Sequence, residues 1–225
     1  MTARESGRPE HYFDAKVVAD YDRRYRGGWG RWKHRRKLAQ LRRWLAPSEP
    51  VLEVACGPGR LDAAFDDATS IHVDLSPEML ARYRRQNPSA RLVRADASHL
   101  PFSDGAFDAV VSIRFVSHLR GEYRRRVLAE LARVSRDRVI IDGRHLYNLR
   151  YWSRWFRRRL GLARADKLRH TFAEFEQELR ECGLELVARR SIAWGLSGRV
   201  LLMSKVLPRS VDAPAPPPTR VETTR

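Results

Sequence analysis

From Pro50 onward, short apolar runs alternate with helical patterns: PVLEVA, SIHVD, RLVR, DAVVS and RVIID read as strands bounded by turn residues. That rhythm predicts a parallel sheet, in which each strand is joined to the next by a crossover. The chain has 225 residues, 43% of them hydrophobic and 32% charged, which suits one globular domain with extensions. A collagen, a disulfide miniprotein and a wholly disordered chain are excluded.

The flanking segments complete an α/β reading. Residues 1–49 form an N-terminal helical cap in which HRRKLAQLRRWL, with Leu38, Leu41 and Leu45 at helical spacing, makes an amphipathic helix ended by Pro47 and Pro50. Ser76-Pro77-Glu78 starts a helix with a capping side chain, proline at the first position and an acid in the first turn. Residues 121–134 supply another. Thr171 and Glu174 form a capping box opening FAEFEQELREC, with Gly183 at its end. The pair LELVARRSIAW and RVLLMSKVL closes a main domain of residues 50–207, with a basic aromatic insertion at 144–170 and a proline-rich disordered tail at 208–225.

Cys56 and Cys182 are isolated, with no CxxC and no Cys/His cluster, so neither a metal site nor a disulfide framework is expected. No apolar run is long enough to span a bilayer, and residues 1–26 lack a secretion core, which predicts a cytoplasmic chain. The net charge of +17 is concentrated. Residues 23–43 hold ten Lys/Arg and no acid, and residues 144–169 hold nine against Asp166 alone, so these two surfaces carry essentially the whole excess and face anions.

The chemistry centres on Val51-Leu52-Glu53-Val54-Ala55-Cys56-Gly57-Pro58-Gly59-Arg60, a buried strand running into a glycine turn and then a helix. Glycines there let the backbone approach a ligand at the carboxyl edge of the first strand, where open parallel sheets bind ligands. The nicotinamide fingerprint GxGxxG fails, because Ala55 and Asp62 stand where it wants glycine. Asp74 ends the second strand, placed for the two hydroxyls of a ribose; Asp96-Ala97 follows the third; LPFSDGAFDAVVSIRFVSHL gives an acidic turn, a fourth strand and His118. Singly, Asp74 reads as a helix cap and Asp96 as a turn residue. Jointly, and in this order, they read as a cofactor site.

Taken together, residues 50–206 resemble the class I S-adenosylmethionine-dependent methyltransferases, in the small-molecule and quinone-biosynthesis (methyltransferase type 11) branch. The resemblance implies a doubly wound, Rossmann-like seven-stranded sheet, mostly parallel with one antiparallel strand. It also implies S-adenosylmethionine as cofactor. Gly57 and Gly59 would pass under its methionine and ribose; Glu53 would steady the loop or reach the ammonium; Asp74 would hold the ribose hydroxyls; Leu75 and Met79 would pack on adenine; Asp96, beside Ala97, would bond the adenine amino group. Ile113 and Arg114 would touch the methionine end. Ala55 departs from the family's frequent glycine, and the added methyl is expected to tighten the site slightly.

Methyl transfer is an in-line displacement in which positioning can suffice. Where the acceptor must lose a proton, His118 and His145 are the candidate bases, because histidine titrates near neutrality, and Arg114 is the nearest cation to orient an anionic acceptor. His170 precedes the capping box and reads as structural. Both basic segments interleave aromatics: Trp29 and Trp32 in the first, Tyr147, Tyr151, Trp152, Trp155 and Phe156 in the second. Leu149, Trp152, Phe156 and Leu160 recur at helical spacing among arginines, which suits a lid helix or a peripheral membrane contact through 149–160. The expected acceptor is therefore small or lipid-like, and anionic or presented at an anionic membrane. RNA is the alternative, since a basic aromatic surface also grips phosphates and stacks bases. A non-catalytic scaffold is a third class.

Overall fold

Val51, Leu52, Glu53 and Val54 are all buried, which only a strand covered on both faces requires. The computed structural model describes residues 27–144, 172–193 and 199–208. In chain order its elements are α1 (Gly28–Trp44), β1 (Val51–Val54), β2 (Ser70–Asp74), α2 (Pro77–Gln86), β3 (Leu92–Arg94), β4 (Phe107–Ser112), α3 (Gly121–Val134), β5 (Ser135–Arg144), α4 (Phe172–Glu181), β6 (Leu184–Ser191) and β7 (Arg199–Val206). The strands form one seven-stranded sheet in the order β3-β2-β1-β4-β5-β7-β6. Strands β1 to β5 pair in parallel, and β7 lies antiparallel between β5 and β6. The order reverses between β1 and β4, so the crevice at their carboxyl ends is the switch point where such sheets take ligands.

Each face has its own apolar layer. On one, Leu52, Val54, Val110 and Ile141 meet Val127, Leu128 and Leu131 of α3 and Leu179 of α4. On the other, Leu41 of α1 is fully buried among Val51, Ala109, Val111, Ile140 and Leu201. The predicted spacing of α1 is thus its packing face, with Leu38 and Leu45 against the same cluster. Its opposite face exposes Trp29 and Trp32, which stack at 4.8 Å with Lys33 and Arg36 over their rings.

One connection differs from the expectation. No α-helix follows the glycine turn: residues 55–69 make turns and a single 3-10 turn, Asp62–Ala64. The stretch is short, and Asp66 diverts it by accepting the amides of Thr69 and Ser70 on its carbonyl and that of Ala68 on its side chain. The place beside the loop is taken by α1, whose Arg42 donates through Nε and Nη2 to the carbonyl of Ala63. Elsewhere the described elements follow the sequence pattern: α2 is capped by Ser76, whose hydroxyl accepts from Met79 N at 3.2 Å, and α4 is followed by Gly183 at φ +80°. Thr171, the insertion at 145–170, the 209–225 tail and residues 1–26 lie outside the described residues.

Candidate active site

The turn after β1 carries three residues in the left-handed region: Ala55 at φ +60°, Gly57 at +57° and Gly59 at +76°. Glycine occupies that region freely; alanine there costs roughly 1–2 kcal/mol. Ala55 therefore carries a backbone cost of its own. Beyond Gly57 nothing stands within 4 Å of a would-be Cβ, so the loop is open on that side. Gly59 faces the reverse situation, since a Cβ would lie 2.4 Å from the Tyr83 ring.

Asp74 holds the loop. Its Oδ2 accepts from Gly57 N at 2.8 Å and its Oδ1 from Ser76 N at 2.9 Å, so one carboxylate at the end of β2 ties the glycine turn to the cap of α2. Burial raises its pKa, opposed by the Ser76 and Gly57 amides, which favour the charged form. Each oxygen keeps lone-pair capacity for a hydroxyl donor. Leu75 and buried Met79 flank it. Past β3, Asp96 Oδ1 accepts from Ser98 N, Ser98 Oγ and Tyr123 Oη, each at 2.9 Å, which fixes that carboxylate beside buried Ala97. An open glycine turn with two anchored acids along the edge of β1, β2 and β3 fits an adenosyl group.

Glu53 points elsewhere. It is 2% exposed beneath the loop and pairs at 2.8 Å with Nδ1 of buried His72. Tyr83 Oη donates to Asp62 at 2.7 Å and lies 3.2 Å from His72 Nδ1, completing a network under Gly59. Burial raises the pKa of Glu53, and the His72 hydrogen bond opposes this. The Glu53 carboxylate is thus engaged by His72 beneath the loop. His72 and Tyr83 escape sequence reasoning because each is one polar residue in an ordinary strand or helix pattern.

On the other side of the loop the edge is cationic. Ile113 is buried, and Arg114, at φ +68°, donates its amide to Asp142 Oδ1 at 2.6 Å. Asp142, 1% exposed at the end of β5, also takes Arg199 Nη1 of β7 at 2.7 Å. Lys37 of α1 is 8% exposed within the field of Asp142, Arg114, Arg199 and Arg60. His118 ends a 3-10 turn, Val116–His118, on the same edge. The structure thus separates the candidates into an acidic half at β1 to β3 and a cationic half at β4, β5 and β7; His145 lies outside the described residues. Asp142 was readable by the rule that found Asp74, since it too closes an apolar run. Lys37 was hidden in a run of cations, although it precedes Leu41 by one helical turn.

The fold is the Rossmann-like one of solved S-adenosylmethionine-dependent methyltransferases. Residues 52–141 match the methyltransferase domain family. A demethylmenaquinone methyltransferase of Beutenbergia cavernae is 42% identical over 66 residues, 28% of each chain. A phthiotriol/phenolphthiotriol dimycocerosates methyltransferase of Mycobacterium leprae is 39% identical over 92 residues, 38% of this chain and 33% of that one. The matches thus span about a third or less of these relatives. The magnesium protoporphyrin IX methyltransferase of Synechocystis PCC 6803, solved with bound SAH, superposes with a TM-score of 0.69 at 16% identity over 87% of this chain and 97% of that one.

Proposed function

We propose that the protein transfers the methyl group of S-adenosylmethionine to a small or lipid-like acceptor that carries an anionic group. The observation that supports this reading most directly is the Asp74 latch, which sets a carboxylate against the amide of Gly57 at the switch point of the sheet. The relatives' names, a quinone methyltransferase and a lipid methyltransferase, point the same way for the acceptor.

When bound, the cofactor supplies an activated methyl group on a sulfonium. The chain supplies position. Asp74 and Asp96 hold the adenosyl part, the glycine turn lies under it, and the network of Glu53, His72 and Tyr83 keeps that turn from moving. Arg114, its backbone pinned by Asp142, borders the acceptor. Orientation of this kind contributes about 7–11 kcal/mol in favourable cases, so a base is needed only for an acceptor that must lose a proton. His118 takes that part for a phenol. Arginine keeps its proton at any working pH and serves only to orient.

The test is incubation with S-adenosylmethionine and a metabolite extract beside total RNA, followed by mass spectrometry. A gain of about 14 Da on a small or lipid-like anion, with one equivalent of S-adenosylhomocysteine formed, is expected. Methyl incorporation into RNA alone would overturn the acceptor class.

A further inference from the structure

Five cations from four parts of the chain gather on the acceptor side of the loop, and three of them, Lys37, Arg114 and Arg199, lie beside one buried acid. Lys33 and Lys37 come from α1, Arg60 from the glycine turn, Arg114 from the end of β4 and Arg199 from the start of β7; the acid is Asp142. Asp142 is already committed, by the Arg114 amide at 2.6 Å and the Arg199 guanidinium at 2.7 Å. Lys37 is different. Its stem is buried, its ammonium stays within reach of water, and no hydrogen bond or ion pair joins it to another described residue.

An ammonium partly desolvated among like charges, with the one nearby acid already taken, is costly to keep charged, and proteins ordinarily pair or expose such a group. Methionine would fill the same space at no such cost, since Lys37 precedes Leu41 by one turn on the packing face of α1. The arrangement has a rationale if the missing partner arrives with a ligand. We propose that Lys37 anchors a carboxylate or phosphate group of the acceptor at the edge between β4, β5 and β7. The proposal rests on the reading of that edge as the acceptor side. The adenosyl half of the site lies with Asp74 and Asp96, across the loop, so the anion that Lys37 meets is not the adenosyl part. The surrounding guanidiniums add a positive field that concentrates anions at this edge, with Lys37 as the short-range contact.

The protonation of Lys37 agrees with this role. Burial lowers its pKa to about 8, with Asp142 raising it and Arg114, Arg199 and Arg60 lowering it further. Near pH 7 the ammonium is still mostly charged, and an incoming anion stabilises that form. Anion affinity must therefore fall as pH rises above about 8, by about tenfold per unit at most.

The experiment is calorimetry on the full chain, at constant ionic strength. S-adenosylhomocysteine is titrated first; failure to bind would sink the methyltransferase reading and leave the anion question to be answered by itself. Phenyl phosphate and benzoate are then titrated beside neutral benzyl alcohol. Expected are binding of at least one anion about tenfold tighter than the alcohol, loss of that preference in Lys37→Met, partial retention in Lys37→Arg, and the decline above about pH 8 in the parent. Displacement of bound phenyl phosphate by phosphatidylglycerol vesicles, and not by phosphatidylcholine, would assign the anion to a lipid headgroup; displacement by neither assigns it to a soluble acceptor. The parent's preference for anions needs no variant to fold. Equal binding of anion and alcohol overturns the proposal. So does a Lys37→Met variant that keeps the preference. If Lys37→Met weakens S-adenosylhomocysteine but spares 5′-methylthioadenosine, which lacks the amino-acid end, Lys37 serves the cofactor's carboxylate and the proposal is again overturned.

Discussion

The side chain of Asp74 and the amide of Gly57 are joined at 2.8 Å, so the acid proposed to meet the ribose also sets the height of the loop beneath it. Removing the carboxylate undoes both at once. A charged acceptor lost from a buried site costs on the order of 1.5–3 kcal/mol. Asp74→Ala is expected to weaken S-adenosylhomocysteine binding by about tenfold or more, read by calorimetry on the folded variant. A variant that binds as tightly as the parent places the ribose elsewhere.

Ala55 holds a left-handed backbone at φ +60°. Ala55→Gly removes the Cβ strain of roughly 1–2 kcal/mol and returns part of it as unfolded-state entropy, so a net gain of about 0.5–1 kcal/mol is expected. Thermal unfolding of Ala55→Gly beside Ala55→Val, whose branched side chain tolerates this region least, checks the sign: Tm rises for the first and falls for the second.

Gly59 and Tyr83 are fitted to each other. A methyl at Gly59 would enter the ring face at 2.4 Å, and Tyr83 has no room to retreat, being fully buried and bonded to Asp62. Gly59→Ala is expected to lose about 2 kcal/mol or more from overpacking and a positive φ together. Denaturant unfolding of Gly59→Ala with Tyr83→Phe and Tyr83→Leu separates the causes: Tyr83→Phe keeps the clash, and Tyr83→Leu relieves part of it.

Lys37 makes stability depend on pH in an unusual direction. In the unfolded chain it keeps its proton up to about 10.5, whereas in the folded protein it gives it up near 8. Between those values the unfolded state binds more protons, so this residue makes the fold more stable as pH rises, by about 3 kcal/mol when complete. The groups facing it are Asp142, Arg114, Arg199, Arg60 and His34 of the same helix. Subtracting the urea-derived stability of Lys37→Met from that of the parent at pH 7.5, 9 and 10 is expected to show the rise; a flat difference would refute it.

Much of this architecture was legible because apolar runs and turn residues specify a parallel sheet one strand at a time. SIHVD is β2 residue for residue, and Gly121–Val134 is the helix expected there. The placement of Asp74 and Asp96 was legible for the same reason, since each follows a strand whose position the periodicity fixes. Two things were not. The helix expected after Gly59 is absent because Asp66 turns the chain and Arg42, from a distant segment, caps what remains; such long-range contacts leave no local trace. The burial of Lys37 was likewise invisible, because its neighbours Asp142, Arg114 and Arg199 are brought to it only by the folded sheet. The aromatic insertion, with His145, lies in residues the structure does not describe.

The place of β7 between β5 and β6 governs how the protein is made. Strand β5 pairs along seven positions, Arg138 to Arg144, with a partner that is translated some sixty residues later. Until Val206 has left the ribosome, the run RVIID presents a bare row of amides and carbonyls at the rim of an otherwise finished sheet, which is the kind of edge that recruits other strands. The nascent chain thus carries its greatest risk of aggregation late in synthesis, and the last strand to emerge is the one that removes it.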